Sequence, residues 1–246
     1  MKLEGASVVV TGGASGLGLA AAQRFLSCGA KVATIDIAQG DDGFLHHSAD
    51  VADEEQMEAA LAQIAEEHGP PSILVNAAGK AAPFKRTYGK SGAYDLTVFR
   101  DILDVNLVGS FNCARLAARH MADRPPGERG ERGVILHVAS INAFDAPLGT
   151  VAYSAAKAGV VGMTLAMARD LAGYGIRVCT IAPGSFDTPM LDRAFNGDAS
   201  ELLADIPFPN DRLGDADDFA LLATQICENP MLNGETIRLD GAARLS

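Results

Sequence analysis

Ser7-Val8-Val9-Val10-Thr11-Gly12-Gly13-Ala14-Ser15-Gly16-Leu17-Gly18 decides the fold of this chain. A short apolar, β-branched run from Ser7 to Val10 enters a glycine turn directly. A helical pattern follows, with Leu17, Ala20, Ala21, Arg24 and Phe25 at three- and four-residue spacing. Strand, glycine turn and helix come in the order that a dinucleotide site needs. Glycines let the backbone turn sharply and come close to a pyrophosphate, and the helix N-terminus presents free N–H groups and a positive dipole to it. The spacing, Gly12-x-x-x-Gly16-x-Gly18, differs from the commoner G-x-G-x-x-G fingerprint.

Outward from this stretch, a second apolar run, Val32 to Ile37, carries Asp36 near its end, 18 residues beyond Gly18. A carboxylate there accepts both hydroxyls of an adenosine ribose and repels a 2′-phosphate, so NAD is favoured over NADP. Ser15 and Ile37, where a basic residue would welcome that phosphate, are uncharged. The competing reading of Asp36 is a residue that merely opens the loop Ala38-Gln39-Gly40-Asp41-Asp42-Gly43.

The rest of the chain repeats the alternation. Strand-like runs fall at 7–10, 32–37, 73–76, 133–139, 176–181 and 235–239, with a weaker one at 44–49; helical patterns fall at 53–68, 97–121, 151–172 and 215–228. This predicts an α/β, doubly wound parallel sheet (Rossmann fold) of about seven strands with helices on both faces, one domain over 1–246. Ligands of such sheets gather at the carboxyl ends of the strands, where Gly12, Asp36, Asp50, Asn76, Ser140 and Pro183 fall. The Pro- and charge-rich stretch Asp123 to Arg132 is an exposed loop, not a domain boundary.

Tyr153 and Lys157 lie four residues apart, which on a helix puts them on one face, and Ser140 lies thirteen positions upstream. A phenol with an unperturbed pKa of about 10 must come down by roughly three units, about 4 kcal/mol, to act as a base near neutrality. A unit charge about 4 Å away at an effective dielectric near 20 supplies about that much. Ser140 adds a hydroxyl to hold a carbonyl oxygen, and the implied chemistry is acid–base work at an alcohol or ketone carbon. A Tyr-x-x-x-Lys pair alone arises by chance; the glycine turn upstream lends it weight.

Together these residues resemble the short-chain dehydrogenase/reductase family over essentially the full length. The motifs are Thr11 to Gly18, Asp50-Val51, Asn76-Ala77-Ala78-Gly79, Asn106, Ser140, Tyr153-x-x-x-Lys157 and Pro183-Gly184. The resemblance implies Tyr153 as catalytic acid/base and Lys157 as the group that lowers its pKa and binds the nicotinamide ribose. It implies Ser140 positioning the substrate oxygen and Asn106 supporting a water relay. Gly12, Ser15, Gly16, Leu17 and Gly18 would cradle the pyrophosphate, Asp50 and Val51 would meet the adenine, and Asn76, Ala77 and Gly79 would line the adenosine side. Pro183, Phe186 and Thr188 would flank the nicotinamide. Longer stretches, among them Gly162-Met-Thr-Leu165, Ile181-Ala-Pro-Gly184 and Ile237-Arg-Leu-Asp-Gly241, are similar to the type II 3-hydroxyacyl-CoA dehydrogenases, NAD enzymes that act on L-3-hydroxyacyl-CoA and, in some members, hydroxysteroids. Asp187 before Thr188, and Pro147 and Thr150 before Tyr153, depart from that pattern near the substrate. An acyl-CoA or another secondary alcohol or ketone is the implied substrate, a homotetramer the implied assembly, and a non-catalytic NAD-binding scaffold the alternative from another class.

Composition narrows the partners. With 246 residues, 48% of them hydrophobic, the chain can bury a large core. A net charge of −11 argues against general affinity for nucleic acid or anionic membrane. Neither a signal peptide nor a membrane span is expected. Cys28, Cys113, Cys179 and Cys227 are scattered in apolar segments, as reduced structural thiols in a cytoplasmic protein are. His46-His47 have no partners at ligand spacing, Asp205, Asp211, Asp215, Asp217 and Asp218 lack a calcium-loop pattern, and no metal is expected. Lys80, Lys85, Arg86 and Lys90 form a basic loop after the fourth strand, suited either to the phosphates of coenzyme A or to plain solvation.

Overall fold

A computed structural model gives the structure, which describes all residues except 41, 42, 128, 199, 204, 210, 211 and 246, and for 200 and 201 the backbone alone. Asp41, Asp42 and Asp211, which figure in the loop and calcium readings above, lie outside the described residues. In chain order the elements begin with β1 (Ser7–Thr11), α1 (Gly16–Ser27), β2 (Lys31–Asp36), β3 (Leu45–Ser48), α2 (Glu54–His68) and β4 (Ile73–Asn76). Next come a two-residue-stranded hairpin, β5 (Tyr88–Gly89) with β6 (Gly92–Ala93), then α3 (Leu96–Leu103), a π-helical turn (Asp104–Val108) and α4 (Gly109–Ala122). The remainder are β7 (Gly133–Val138), a 3₁₀ turn (Ile141–Ala143), α5 (Val151–Ala172), β8 (Ile176–Pro183), α6 (Pro189–Ala194), α7 (Ser200–Leu203), α8 (Ala216–Glu228) and β9 (Thr236–Leu239).

Seven strands pair in parallel in the order β3-β2-β1-β4-β7-β8-β9. Side chains of a strand alternate between faces. Val8 and Val10 accordingly join one core layer with Phe25 of α1 and Phe219 and Ile226 of α8. Val9 joins the opposite layer with Met57, Leu61 and Ile64 of α2 and Leu116 and Met121 of α4. Continuous burial of β1, β4, β7 and β8 follows from cover on both sides.

Helix starts follow their caps. Asp53 accepts from the Gln56 amide at the head of α2, and Asp215 accepts from the Asp217 amide at the head of α8. Asp217 and Asp218 in the first turn of α8 face the positive end of its dipole, which accounts for three of the clustered acids. The helix expected over 97–121 is instead interrupted: α3 and α4 are joined through the π-helical turn. A π-type turn keeps the chain helical and changes the spacing only locally, so a 3.6-residue pattern runs through it.

α5 is long and apolar enough, by length and composition, to cross a membrane. Here its buried Ala152, Ala156, Val160 and Thr164 face the protein interior, and Thr164 Oγ1 lies 2.6 Å from Thr180 Oγ1 on β8. The four cysteines are unpaired, and burial pushes the Cys113 and Cys227 thiols up to about 12, far from thiolate chemistry.

Candidate active site

The loops at the carboxyl ends of the parallel strands surround one cleft of about 1100 Å³. The sheet order sets what meets there. Behind β2 and β3 come Asp36, Asp50 and Val51; behind β1 come Gly12 and Ser15, Gly16, Leu17 and Gly18; behind β4 come Ala77 and Gly79. Behind β7 and β8 come Ser140 and Pro183, Phe186 and Thr188, with Tyr153 and Lys157 of α5 between them.

The glycine turn is shaped by contact. Gly12 has φ +69°, and a Cβ there would lie 2.6 Å from the Ala78 amide nitrogen. A Cβ on Gly18 would run into the Gly12 carbonyl oxygen, so α1 sits directly on the turn. Ser15 occupies the N-cap position of α1 without a side-chain cap, and no acid stands in the first turn. Uncapped amides and an unopposed dipole at a cleft fit a phosphate group. Asp36 Oδ2 accepts from the Ala14 amide (3.1 Å) and Oδ1 from the Ala38 amide (3.0 Å). The carboxylate thus opens the following loop and also lines the cleft, where its remaining lone pairs fit a ribose diol.

At the other end, Lys157 is 4% exposed and donates from Nζ to the Val138 carbonyl (2.9 Å), with Nζ 5.6 Å from the centroid of the Tyr153 ring. Burial pushes the Tyr153 phenol up to about 12, partly offset by the Ser140 hydroxyl, and brings Lys157 down to about 8. The field that the spacing supplies therefore works against this burial. Removing a phenolate from water opposes the field, and the Lys157 ammonium is anchored to a backbone carbonyl rather than to the phenol. Ser140 Oγ accepts from the Asn142 amide (3.2 Å), fixing the hydroxyl at the start of the 3₁₀ turn.

Two expected site residues lie behind the cleft lining. Asn76 is 2% exposed; its Nδ2 donates to the Ser110 carbonyl (3.0 Å) and lies 3.2 Å from His137 Nδ1. Asn106 is fully buried in the π-helical turn. Its Nδ2 donates to the Lys80 and Ile102 carbonyls (both 3.0 Å), its Oδ1 accepts from the Lys80 amide (3.2 Å), and its own carbonyl accepts from Ser110 Oγ (2.9 Å). The Asn76 side chain therefore braces the strand end from behind the cleft lining. Asn106 clamps the chain after Gly79 with its side chain, and its backbone carbonyl, which accepts from Ser110, keeps a second lone pair. Lys80 pairs with Asp101 and leaves the basic cluster, whereas Arg193 of α6, 113 positions later, lines the same cleft. Asn142, Asp205 and Leu245 also line it, with no periodicity or motif in the sequence to mark them.

His137, fully buried, is driven down to about 3 by desolvation and by Lys157, against about 6.5 in an unfolded chain. Between those values the unfolded state binds a proton that the native state refuses, so stability is lost as pH falls from about 6.5 toward 3. Replacing His137 with Phe should flatten that part of the profile, read as the slope of Tm against pH between 6.5 and 4.5. An unchanged slope contradicts the assignment.

A curated relative, 3-hydroxyacyl-CoA dehydrogenase type-2 of Bos taurus, is 44% identical over 255 residues, covering 99% of this chain and 97% of the relative. The crystal structure of a protein of the same name from Mycobacterium avium superposes with a TM-score of 0.92 at 38% identity, covering 100% of this chain and 99% of that one. A 3-ketoacyl-(acyl-carrier-protein) reductase from Brucella melitensis, solved with NADH, superposes at 0.85 with 30% identity, covering 97% and 98%. Residues 6–199 match the family model described as short chain dehydrogenase, and with the glycine turn, the doubly covered sheet and the Ser140–Tyr153–Lys157 end of the cleft already in place, the chain belongs to the short-chain dehydrogenase family.

Proposed function

We propose that the protein is an NAD-dependent dehydrogenase that interconverts L-3-hydroxyacyl-CoA and 3-oxoacyl-CoA. One observation carries the reading: Ser140, Tyr153 and Lys157 meet at one end of a cleft that has Asp36 at its other end. The 44% identity to a relative named for that substrate supports it. An oxidised nicotinamide, when bound, would supply the hydride acceptor and a positive charge. Tyr153 removes the hydroxyl proton, and Ser140 holds the oxygen that loses it. Lys157, protonated below about pH 8, stabilises the phenolate from within the low-dielectric interior. NADH-driven reduction of acetoacetyl-CoA, run beside NADPH and a panel of steroids and secondary alcohols, tests this directly. No turnover of the thioester with turnover of another alcohol replaces the substrate assignment, and no turnover of anything favours a binding role.

NAD over NADP rests on the Asp36 carboxylate. Asp36→Ala should raise the NADP-to-NAD ratio of kcat/KM by about tenfold, roughly 1.4 kcal/mol of removed repulsion. An unchanged ratio removes the argument. For the acyl-CoA reading, Arg193 lines the cleft, and Lys85 and Arg86 follow directly on Phe84, which lines it too. Charge reversal at Lys85 and Arg86 should raise KM for acyl-CoA about threefold to tenfold and spare KM for a pantetheine analogue, since surface charges act weakly but additively on phosphates. Equal effects on both substrates dismiss it.

A second reading, oxidation of hydroxysteroids or other secondary alcohols, is favoured by Asn142, Thr150 and Asp205, polar groups in the cleft that a plain acyl chain does not use. A homotetramer belongs to the same proposal, supported by exposed apolar residues: Val108 at the π-helical turn, Phe111 on α4, and Val151 and Leu165 on α5. Sedimentation measures it. A cytoplasmic location is proposed on the four unpaired thiols.

A further inference from the structure

Five residues beyond Ser140, Asp145 leaves the 3₁₀ turn with its amide still bonded to the Ile141 carbonyl (3.0 Å). Its carboxylate is gripped from 93 positions away. Arg238 of β9 donates Nη1 to Oδ1 (2.9 Å) and Nη2 to Oδ2 (2.7 Å), a two-pronged match of fork to carboxylate. The same guanidinium donates Nε to Asp240 Oδ2 (2.6 Å) and Nη2 to the Ala243 carbonyl (2.9 Å), and lies 5.3 Å over the Phe144 ring. Asp145 Oδ2 also accepts from the Leu245 amide (3.3 Å). The Asp145 side chain is 11% exposed and that of Arg238 22%, so this is not a solvent-washed surface pair. Hydrogen bonding to Arg238 holds the Asp145 carboxyl below the usual carboxylate range. Ala146, next in the chain, sits at φ +41°, a strained setting for a residue with a Cβ, which persists only where the neighbours over-determine it.

What this pair holds matters to the cleft. Leu245 packs with Ile141, Ile206 and Ala243 and forms part of the cleft lining near Ser140. We propose that Asp145 and Arg238 form a positioning lock that seats the segment Gly241–Leu245 against the turn after Ser140, making Leu245 a wall that limits what the cleft accepts beyond the reacting carbon. The proposal rests on the dehydrogenase reading of the cleft. It makes Asp145 and Arg238 positioning residues and Leu245 a determinant of substrate length.

The test compares wild type with Asp145→Asn, Asp145→Glu and Leu245→Ala. NADH-dependent kcat and KM are measured on a short and a long 3-oxoacyl-CoA, or on any pair of ketones of unequal length that wild type reduces, so that a wrong substrate class is recognised from wild type alone. Amide hydrogen exchange of 240–245 is read in parallel without turnover. Asp145→Asn and Leu245→Ala should each raise the long-to-short ratio of kcat/KM by about fivefold or more, as loss of a close apolar wall does. Exchange should speed about tenfold in Asp145→Asn, and Asp145→Glu should restore both readouts toward wild type. Unchanged exchange in Asp145→Asn overturns the lock. A length ratio within about twofold of wild type in either variant, with activity lowered equally on both substrates, overturns it as well, because a merely structural ion pair acts that way.

Discussion

Tyr153→Phe is expected to lower turnover by about 10²- to 10⁴-fold in both directions while leaving NADH affinity within about twofold, because the change deletes only the oxygen that trades the substrate proton. The phenyl ring retains the packing of a half-buried position on α5, so the melting temperature should move little; loss of one hydrogen-bonding hydroxyl is worth about 1 kcal/mol. Steady-state rates with fluorescence titration of NADH separate the two effects. Residual activity within tenfold of wild type means that another group moves the proton. The pH profile adds a check on sign. Oxidation needs the phenolate, whose own burial favours the neutral phenol, so its rate should climb with pH, while reduction, which consumes a proton from the phenol, should fall.

Gly12→Ala should cost about 2 to 5 kcal/mol of stability and abolish cofactor binding in whatever folds. The backbone there is left-handed, at φ +69°, where a Cβ costs about 1–2 kcal/mol, and the new methyl meets the Ala77–Ala78 backbone, which has no flexible end to swing away. Gly89→Ala in the β5–β6 hairpin is the matched control, since a Cβ there meets nothing within 4 Å. Thermal melts and NADH titration of both variants decide the matter. A Gly12→Ala protein that melts and binds like the control contradicts the tight approach of the turn to the strand behind it.

Much of the architecture was legible because it follows local rules. β7 covers Gly133–Val138 where a run over 133–139 is predicted, and β3 covers Leu45–Ser48 inside the weak run at 44–49. The boundaries that moved did so for nameable reasons. β8 extends to Pro183 because β9 pairs with Ala182 and Pro183, beyond the point where β7 ends. Asp36 could be placed by its distance from Gly18, since the glycine turn that leads into Gly18 and Asp36 itself sit at adjacent strand ends of one βαβ unit. Asn106 could be singled out through the family resemblance, but its work could not be read: only the folded chain shows that its side chain is spent on Lys80 and Ile102. Lys80 looked like part of a basic loop until Asp101 was found against it.

Residue types and their periods by themselves determined a parallel sheet covered twice, the glycine turn that opens it, and which side chains are chemically able to exchange a proton. Those conclusions rest on interactions within a few residues or on alternation along one element, which a linear string records. Only the tertiary structure decided how far burial opposes the Tyr153–Lys157 field, which polar groups are already satisfied, and that Arg193 and Leu245 reach the cleft from remote parts of the chain. Desolvation and contact depend on everything packed around an atom, and the packing that brings Arg238 to Asp145 across 93 residues leaves no mark on either residue's neighbours in sequence.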